Sequence, residues 1–156
     1  MKFIQPELGL SAIFNGSAID EIRIAAAAHY PKEFGGFLIG SYTADGNGAI
    51  IDRILLPHRF RSTSVTFERE SSGLEAELQR LYELPKPLFY IGEWHSHPDG
   101  PTSPSSTDRS AMRDIAAHPS VKIKSPLLLI AGVTRQTVEA DLYIYFKNQL
   151  YHYEKI

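Results

Sequence analysis

The amino-acid sequence predicts a mixed α/β fold, of α+β character, in which helices flank a mixed β-sheet. Three observations carry this. Helix-like and strand-like segments follow one another along the chain in an order that suits helices packed on a sheet. The run Leu127–Val133 is continuously apolar and short, the signature of a central strand covered on both faces. The pair Asp45-Gly46 stands between two apolar runs, as in a hairpin turn. The length of 156 residues is that of one domain, and no stretch of changed composition divides it, so residues 1–156 are expected to form one unit.

The elements follow in order. Ser17–His29 reads as a helix: Ala25–Ala28 is its strongest helix-forming run, Ser17 its N-cap, and Pro31 ends the pattern. Gly36–Tyr42 reads as a buried strand, followed by the turn Ala44–Gly48 and a second strand, Ala49–Leu56. His58–Phe67 is an irregular polar stretch with room for a short strand. Ser72–Tyr82 is an amphipathic helix with Leu74, Leu78 and Leu81 on one face. Leu88–His95 is a strand, Pro98–Ser106 a loop dense in Pro and Gly, and Thr107–Ala117 a third helix. After the strand Leu127–Val133, the segments Val138–Phe146 and Leu150–Tyr153 form a hairpin around Lys147-Asn148-Gln149.

Composition narrows the function classes. Lys and Arg total 16 against 18 Asp and Glu, a net charge of −2, so neither a nucleic acid nor an anionic membrane is the expected partner. Hydrophobic residues make up 43% and charged residues 22%, the composition of a packed core rather than a disordered chain. The absence of cysteine excludes disulfides, Cys-based metal sites and a thiol nucleophile. A metal must therefore be held by His, Asp or Glu. The first residues, interrupted by Gln5, Pro6 and Glu7, lack the apolar core of a signal peptide, and no apolar run reaches the ~20 residues of a membrane span. The expectation is a soluble, cytoplasmic protein.

Two of the six histidines, His95 and His97, lie two residues apart at a strand end in Gly92-Glu93-Trp94-His95-Ser96-His97-Pro98. Side chains two apart on a strand share a face, so these imidazoles form half of a metal site at a sheet edge or end. The loop after Pro98 returns the chain to Ser105-Ser106-Thr107-Asp108, with Asp108 in the first turn of a helix. Two His and a carboxylate with an open fourth position is a catalytic zinc arrangement rather than a closed structural one. Each part has a plainer reading. A His-x-His pair alone is more often two half-exposed histidines. Ser105-x-x-Asp108 is also a capping box, and a capping serine can still present its hydroxyl to a site. A zinc hydrolase further needs a carboxylate as general base. Glu33, in Pro31-Lys32-Glu33-Phe34-Gly35-Gly36 between helix and strand, and Glu93, on the strand face of His95 and His97, are the two candidates.

His95-x-His97-Pro98, six residues, Ser105-x-x-Asp108, and the upstream Pro31-x-Glu33-x-x-Gly36 together resemble the JAMM metallopeptidase motif of MPN domains. The match includes every functional position of that motif, and the domain length fits nearly the whole chain. Gly92–Pro98 and Thr66-Phe67-Glu68-Arg69 further resemble the small bacterial members, several of which are encoded beside ubiquitin-like conjugation enzymes in anti-phage defence operons. The resemblance implies a cytidine-deaminase-like sheet flanked by helices. It implies one Zn2+ per chain held by His95, His97 and Asp108 with water as fourth ligand, Glu33 as general base and acid, and Ser105 as donor to the oxyanion. It also implies hydrolysis of a peptide or isopeptide bond at the C-terminus of a ubiquitin-like protein, as deconjugation or precursor processing. The sequence departs from many eukaryotic relatives in having Glu93 where they carry Trp, and it lacks their long insertions. The substrate tail is expected to lie extended, as a strand added to a sheet edge. Arg53, Arg59 and Arg61 are candidates to meet an acidic partner, though a solvated face explains them as well. The competing class is a catalytically silent MPN scaffold that works by pairing with a partner; such domains typically lose ligands, and here the full set is present.

Overall fold

The computed structural model describes residues 1–57, 60–62, 67–69, 74–119, 121, 123 and 125–156. Along these, eleven strands and three helices follow the expected order, with additions at both ends. They are β1 (Lys2–Gln5), β2 (Leu10–Phe14), α1 (Ala18–His29), β3 (Gly35–Tyr42), β4 (Gly48–Leu55), β5 (Phe60–Ser62), β6 (Phe67–Arg69), α2 (Leu74–Tyr82), β7 (Phe89–Pro98), α3 (Ser106–Ala117), β8 (Leu127–Val133), β9 (Val138–Phe146), β10 (Gln149–His152) and β11 (Glu154–Lys155).

Nine strands form one sheet in the order β10-β9-β8-β7-β3-β4-β2-β1-β11, while β5 and β6 form a separate antiparallel pair. The sheet is mixed: β2 runs parallel to β4 and β7 parallel to β8, the other neighbours being antiparallel. As the apolar run implied, β8 is buried along its whole length. Its alternation divides the core. Leu127, Leu129, Ala131 and Val133 join Ile19, Ile22 and Ala26 of α1, whereas Leu128 and Ile130 join Met112 of α3. On the α3 face a further cluster packs Leu74 and Leu81 of α2 against Ile39, Leu55 and Leu88. One helix thus covers one face, and two helices share the other.

Several boundaries differ from expectation. The N-terminal residues form β1 and β2, which the sequence did not signal, because Pro6–Gly9 interrupts any alternation. The C-terminal β11 pairs with β1, so Tyr153 lies outside a strand and inside the core, 2% exposed. Ser17 stands before α1 but its side chain does not cap it; the hydroxyl bonds the Glu21 carboxylate instead. The hairpin joining β9 and β10 turns on Lys147 and Asn148, both in the left-handed region, which fits a two-residue turn. The start of α2 at Ser72 and the stretch around His58 fall outside the described residues.

The most consequential difference is in β7. The strand continues past His95 to Pro98, pairing with β8 up to Pro98–Val133. Its pairing with β3 slips between Gly92–Leu38 and Tyr90–Ile39, leaving Ile91 as an extra residue. Such a bulge shifts the phase of the strand. Trp94 and Ser96 then point into the α1 face, at 1% and 0% exposure, and Glu93, His95 and His97 face the side of α2 and α3.

Candidate metal centre

The site forms at the carboxyl ends of the parallel strands β7 and β8, at the middle of the sheet. The sequence left an edge or an end open; the order β8-β7-β3 makes it an end. Strand alternation brings the His95 and His97 rings to 5.0 Å, centroid to centroid, with their Nε2 atoms 3.1 Å apart. Helix α3 delivers the third group. Asp108 Oδ1 lies 2.9 Å from His95 Nε2, and Oδ2 3.3 Å from His97 Nε2.

Asp108 holds this place because α3 starts where it does. Ser105 is the N-cap: its hydroxyl accepts the Asp108 N–H at 3.1 Å, and the Asp108 Oδ2 accepts the Ser105 N–H at 2.6 Å. The capping reading of Ser105-x-x-Asp108 is therefore correct, and compatible with a site role. One carboxylate oxygen closes the cap while the other meets His95. Ser105 is exposed, with its hydroxyl proton uncommitted to the cap.

The donor set fits a cation. His97 Nδ1 lies 2.8 Å from the Pro101 carbonyl, which can only accept, so Nδ1 carries the proton and Nε2 of the neutral ring presents a lone pair. Two imidazole nitrogens and a carboxylate 2.9–3.3 Å from one another are close enough to converge on a single ion. Among the described residues, His95, His97 and Asp108 form the group placed to hold a metal.

Electrostatics agree with the geometry. Burial disfavours the Asp108 carboxylate, yet hydrogen bonds from His95 and His97 prevail and hold its carboxyl far below the usual range. The Asp108 hydrogen bond raises the His97 imidazole above its ordinary value, against the effect of burial. Glu33, half-buried just before β3, is raised by burial; His95 and His97 pull it back down and Asp108 pushes it up. Its carboxylate thus lies in the field of all three groups.

The backbone that presents Glu33 is fixed by a residue the sequence reading passed over. Ser96, between the two histidines, points to the opposite face. Its hydroxyl accepts the Phe34 N–H at 3.0 Å, and its own N–H donates to the Phe34 carbonyl at 2.8 Å. The signal was its place between the two histidines on an alternating strand. Gly36 must lack a side chain, since a Cβ there would lie 2.5 Å from the Leu55 carbonyl oxygen and 3.0 Å from Trp94 Nε1.

Glu93 accepts the Tyr90 hydroxyl at 3.2 Å. The remaining described histidines have other surroundings. His29 stacks on Phe34 at 3.6 Å, His118 ends α3, and His152 meets Asp141 at 3.2 Å. Arg53 is exposed on β4, in keeping with a solvated face. Arg59, Thr66 and the Arg61 side chain lie outside the described residues.

A family model described as prokaryotic homologues of the JAB domain matches residues 16–143. A protein of Enterobacter hormaechei named CD-NTase/cGAS isopeptidase is 32% identical over 121 residues, 77% of this chain and 66% of that one. A Pseudomonas aeruginosa protein of the same name is 36% identical over 125 residues, 76% of this chain and 75% of that one. A probable metalloprotease of Sinorhizobium fredii is 27% identical over 117 residues, covering 73% of this chain and 71% of its own. Among solved structures, a Salinibacter ruber protein superposes with a TM-score of 0.63 at 26% identity, covering 92% of this chain and 88% of that one. A Desulfitobacterium hafniense protein does so with a TM-score of 0.61 at 20% identity, covering 90% and 88%.

Proposed function

This chain belongs to the family of prokaryotic JAB-domain homologues and carries a JAMM-type peptidase domain; from that premise we propose that residues 1–156 act as one zinc-dependent unit hydrolysing the bond that follows the C-terminus of a ubiquitin-like protein. The observation that carries the proposal is the convergence of His95, His97 and Asp108, 2.9–3.3 Å apart, with Glu33 in their field.

In this reading His95, His97 and Asp108 hold the zinc. When bound there, zinc polarises the substrate carbonyl and brings the pKa of a bound water to ~7. Glu33 takes a proton from the attacking water and gives it to the departing nitrogen. Its raised proton affinity, caused first by burial, makes it the stronger base for taking the proton of the attacking water. Ser105 donates its exposed hydroxyl to the developing oxyanion while its oxygen keeps the cap on α3. The pairing of Ser96 with Phe34 keeps the Glu33 backbone in place.

The substrate is the finer part of the proposal. Two relatives are named as isopeptidases of CD-NTase/cGAS, which makes a CD-NTase joined through an isopeptide bond the conjugate to test first. The test offers the zinc-loaded protein that conjugate, a ubiquitin-like protein joined to lysine, and a linear fusion of the same tail. Cleavage of an isopeptide substrate by the wild type, lost in Glu33→Gln with zinc still bound, is expected. Cleavage undiminished in Glu33→Gln would remove Glu33 as base and turn attention to Glu93. Cleavage of the linear fusion alone would make the protein a precursor-processing enzyme.

A further inference from the structure

We infer that Thr102 and Asp141 form a clamp that positions His97 for metal binding, acting through the Pro101 carbonyl. The inference rests on the metal-centre reading above and extends it to a strand remote from the motif.

Asp141 sits within β9, opposite Ile130 of β8. Aspartate is depleted in strands, and its neighbours here are Ala140 and Leu142. Both of its oxygens are engaged: Oδ2 accepts the Thr102 hydroxyl at 2.5 Å, and Oδ1 lies 3.2 Å from His152 Nε2. Thr102 belongs to the loop between β7 and α3. Its carbonyl accepts the Tyr143 hydroxyl at 3.0 Å, so side chain and backbone are both tied to β9. The loop also rests on β8. The Asp99 N–H donates to the Val133 carbonyl at 2.8 Å, and a Cβ at Gly132 would lie 3.1 Å from both Thr102 Cγ2 and the Gly100 oxygen.

The peptide group linking Pro101 to Thr102 is what this clamp orients, and its carbonyl is the acceptor for His97 Nδ1 at 2.8 Å. That bond selects the tautomer that leaves Nε2 bare, and it sets the plane of the ring. Outer partners of metal-bound histidines typically change metal affinity or activity 10–100-fold when removed. Thr102 and Asp141 stand one bond further out and act through a rigid peptide plane. They are positioning residues, and touch neither substrate nor metal.

The test compares Thr102→Val, Thr102→Ser and Asp141→Ala with the wild type, measuring zinc affinity by chelator competition. Val keeps the shape of Thr and loses the hydroxyl; Ser keeps the hydroxyl and loses the methyl. The clamp predicts about 10-fold weaker zinc binding in Thr102→Val and Asp141→Ala. Thr102→Ser should bind as the wild type does. The reverse order, Ser impaired and Val normal, would show that Thr102 only fills space against Gly132 and would overturn the clamp. Equal affinity in all three variants would also overturn it. A wild type that takes up no zinc would instead overturn the metal-centre reading, and the clamp with it.

Discussion

At the scale of single residues, what decides the chemistry is where protons sit. The Asp108 hydrogen bond raises the His97 imidazole in the metal-free protein. A histidine raised in the folded state adds stability below its unfolded pKa, and that stability is lost as pH rises through the folded value. The metal-free protein should therefore lose thermal stability between about pH 6 and about pH 8, on either side of the ordinary histidine value of ~6.5. Zinc should reverse the trend, because binding requires neutral imidazoles and releases protons. Melting scans with and without zinc check this; a metal-free protein more stable at the higher pH would contradict it. A second outcome concerns Glu33→Gln, which should retain zinc and lose about 10²-fold or more in kcat, as expected for removal of a general base. The histidine pair was legible because strand alternation is local, two residues on one face. Ser96, Thr102 and Asp141 were not, because their roles arise from contacts with distant parts of the chain, Phe34 for Ser96 and β9 for Thr102.

At the scale of elements, the start of α3 carries a capping box and, in the proposed function, part of the site, and the two can be separated. Ser105→Gly should cost only a few tenths of a kcal/mol of helix stability, because glycine is a tolerated N-cap, while Ser105→Ala costs ~1 kcal/mol. Both variants lack the hydroxyl and should lose kcat alike, by about 10²-fold if Ser105 donates to the oxyanion. Thermal melts beside kinetics tell the two contributions apart; a Gly variant with wild-type kcat would confine Ser105 to capping. The entry to β3 is a second such junction. Gly36→Ala places a methyl against the Leu55 carbonyl oxygen at 2.5 Å, an overpacking expected to cost about 1–3 kcal/mol and to lower Tm by about 2–12 °C. An unchanged Tm would show that β3 and β4 part without strain. The sequence announced these elements through caps, prolines and apolar spacing. It could not announce the bulge at Ile91, which depends on how β7 registers against β3 and which shifts the phase of the strand from Gly92 onward.

At the scale of the molecule, the nine-stranded sheet brings the amino ends of β3 and α3 to the carboxyl ends of β7 and β8, and so gathers Glu33, His95, His97 and Asp108 from distant stretches of sequence. The mixed sheet, the buried β8 and the helix order were readable because periodicity and apolar run length reflect burial. The pairing of β1 with β2 and β11 was not, since short, partly exposed strands carry little apolar alternation. Among the described residues no helix is long and apolar enough to cross a membrane. The claim on which the rest depends is that the three converging side chains are a metal centre. Native mass spectrometry of the wild type and Asp108→Ala, each after addition of zinc, tests it most directly. One zinc per chain in the wild type and none in Asp108→Ala is the predicted result. A wild type that stays metal-free, or an Asp108→Ala variant that keeps a full zinc, would contradict it.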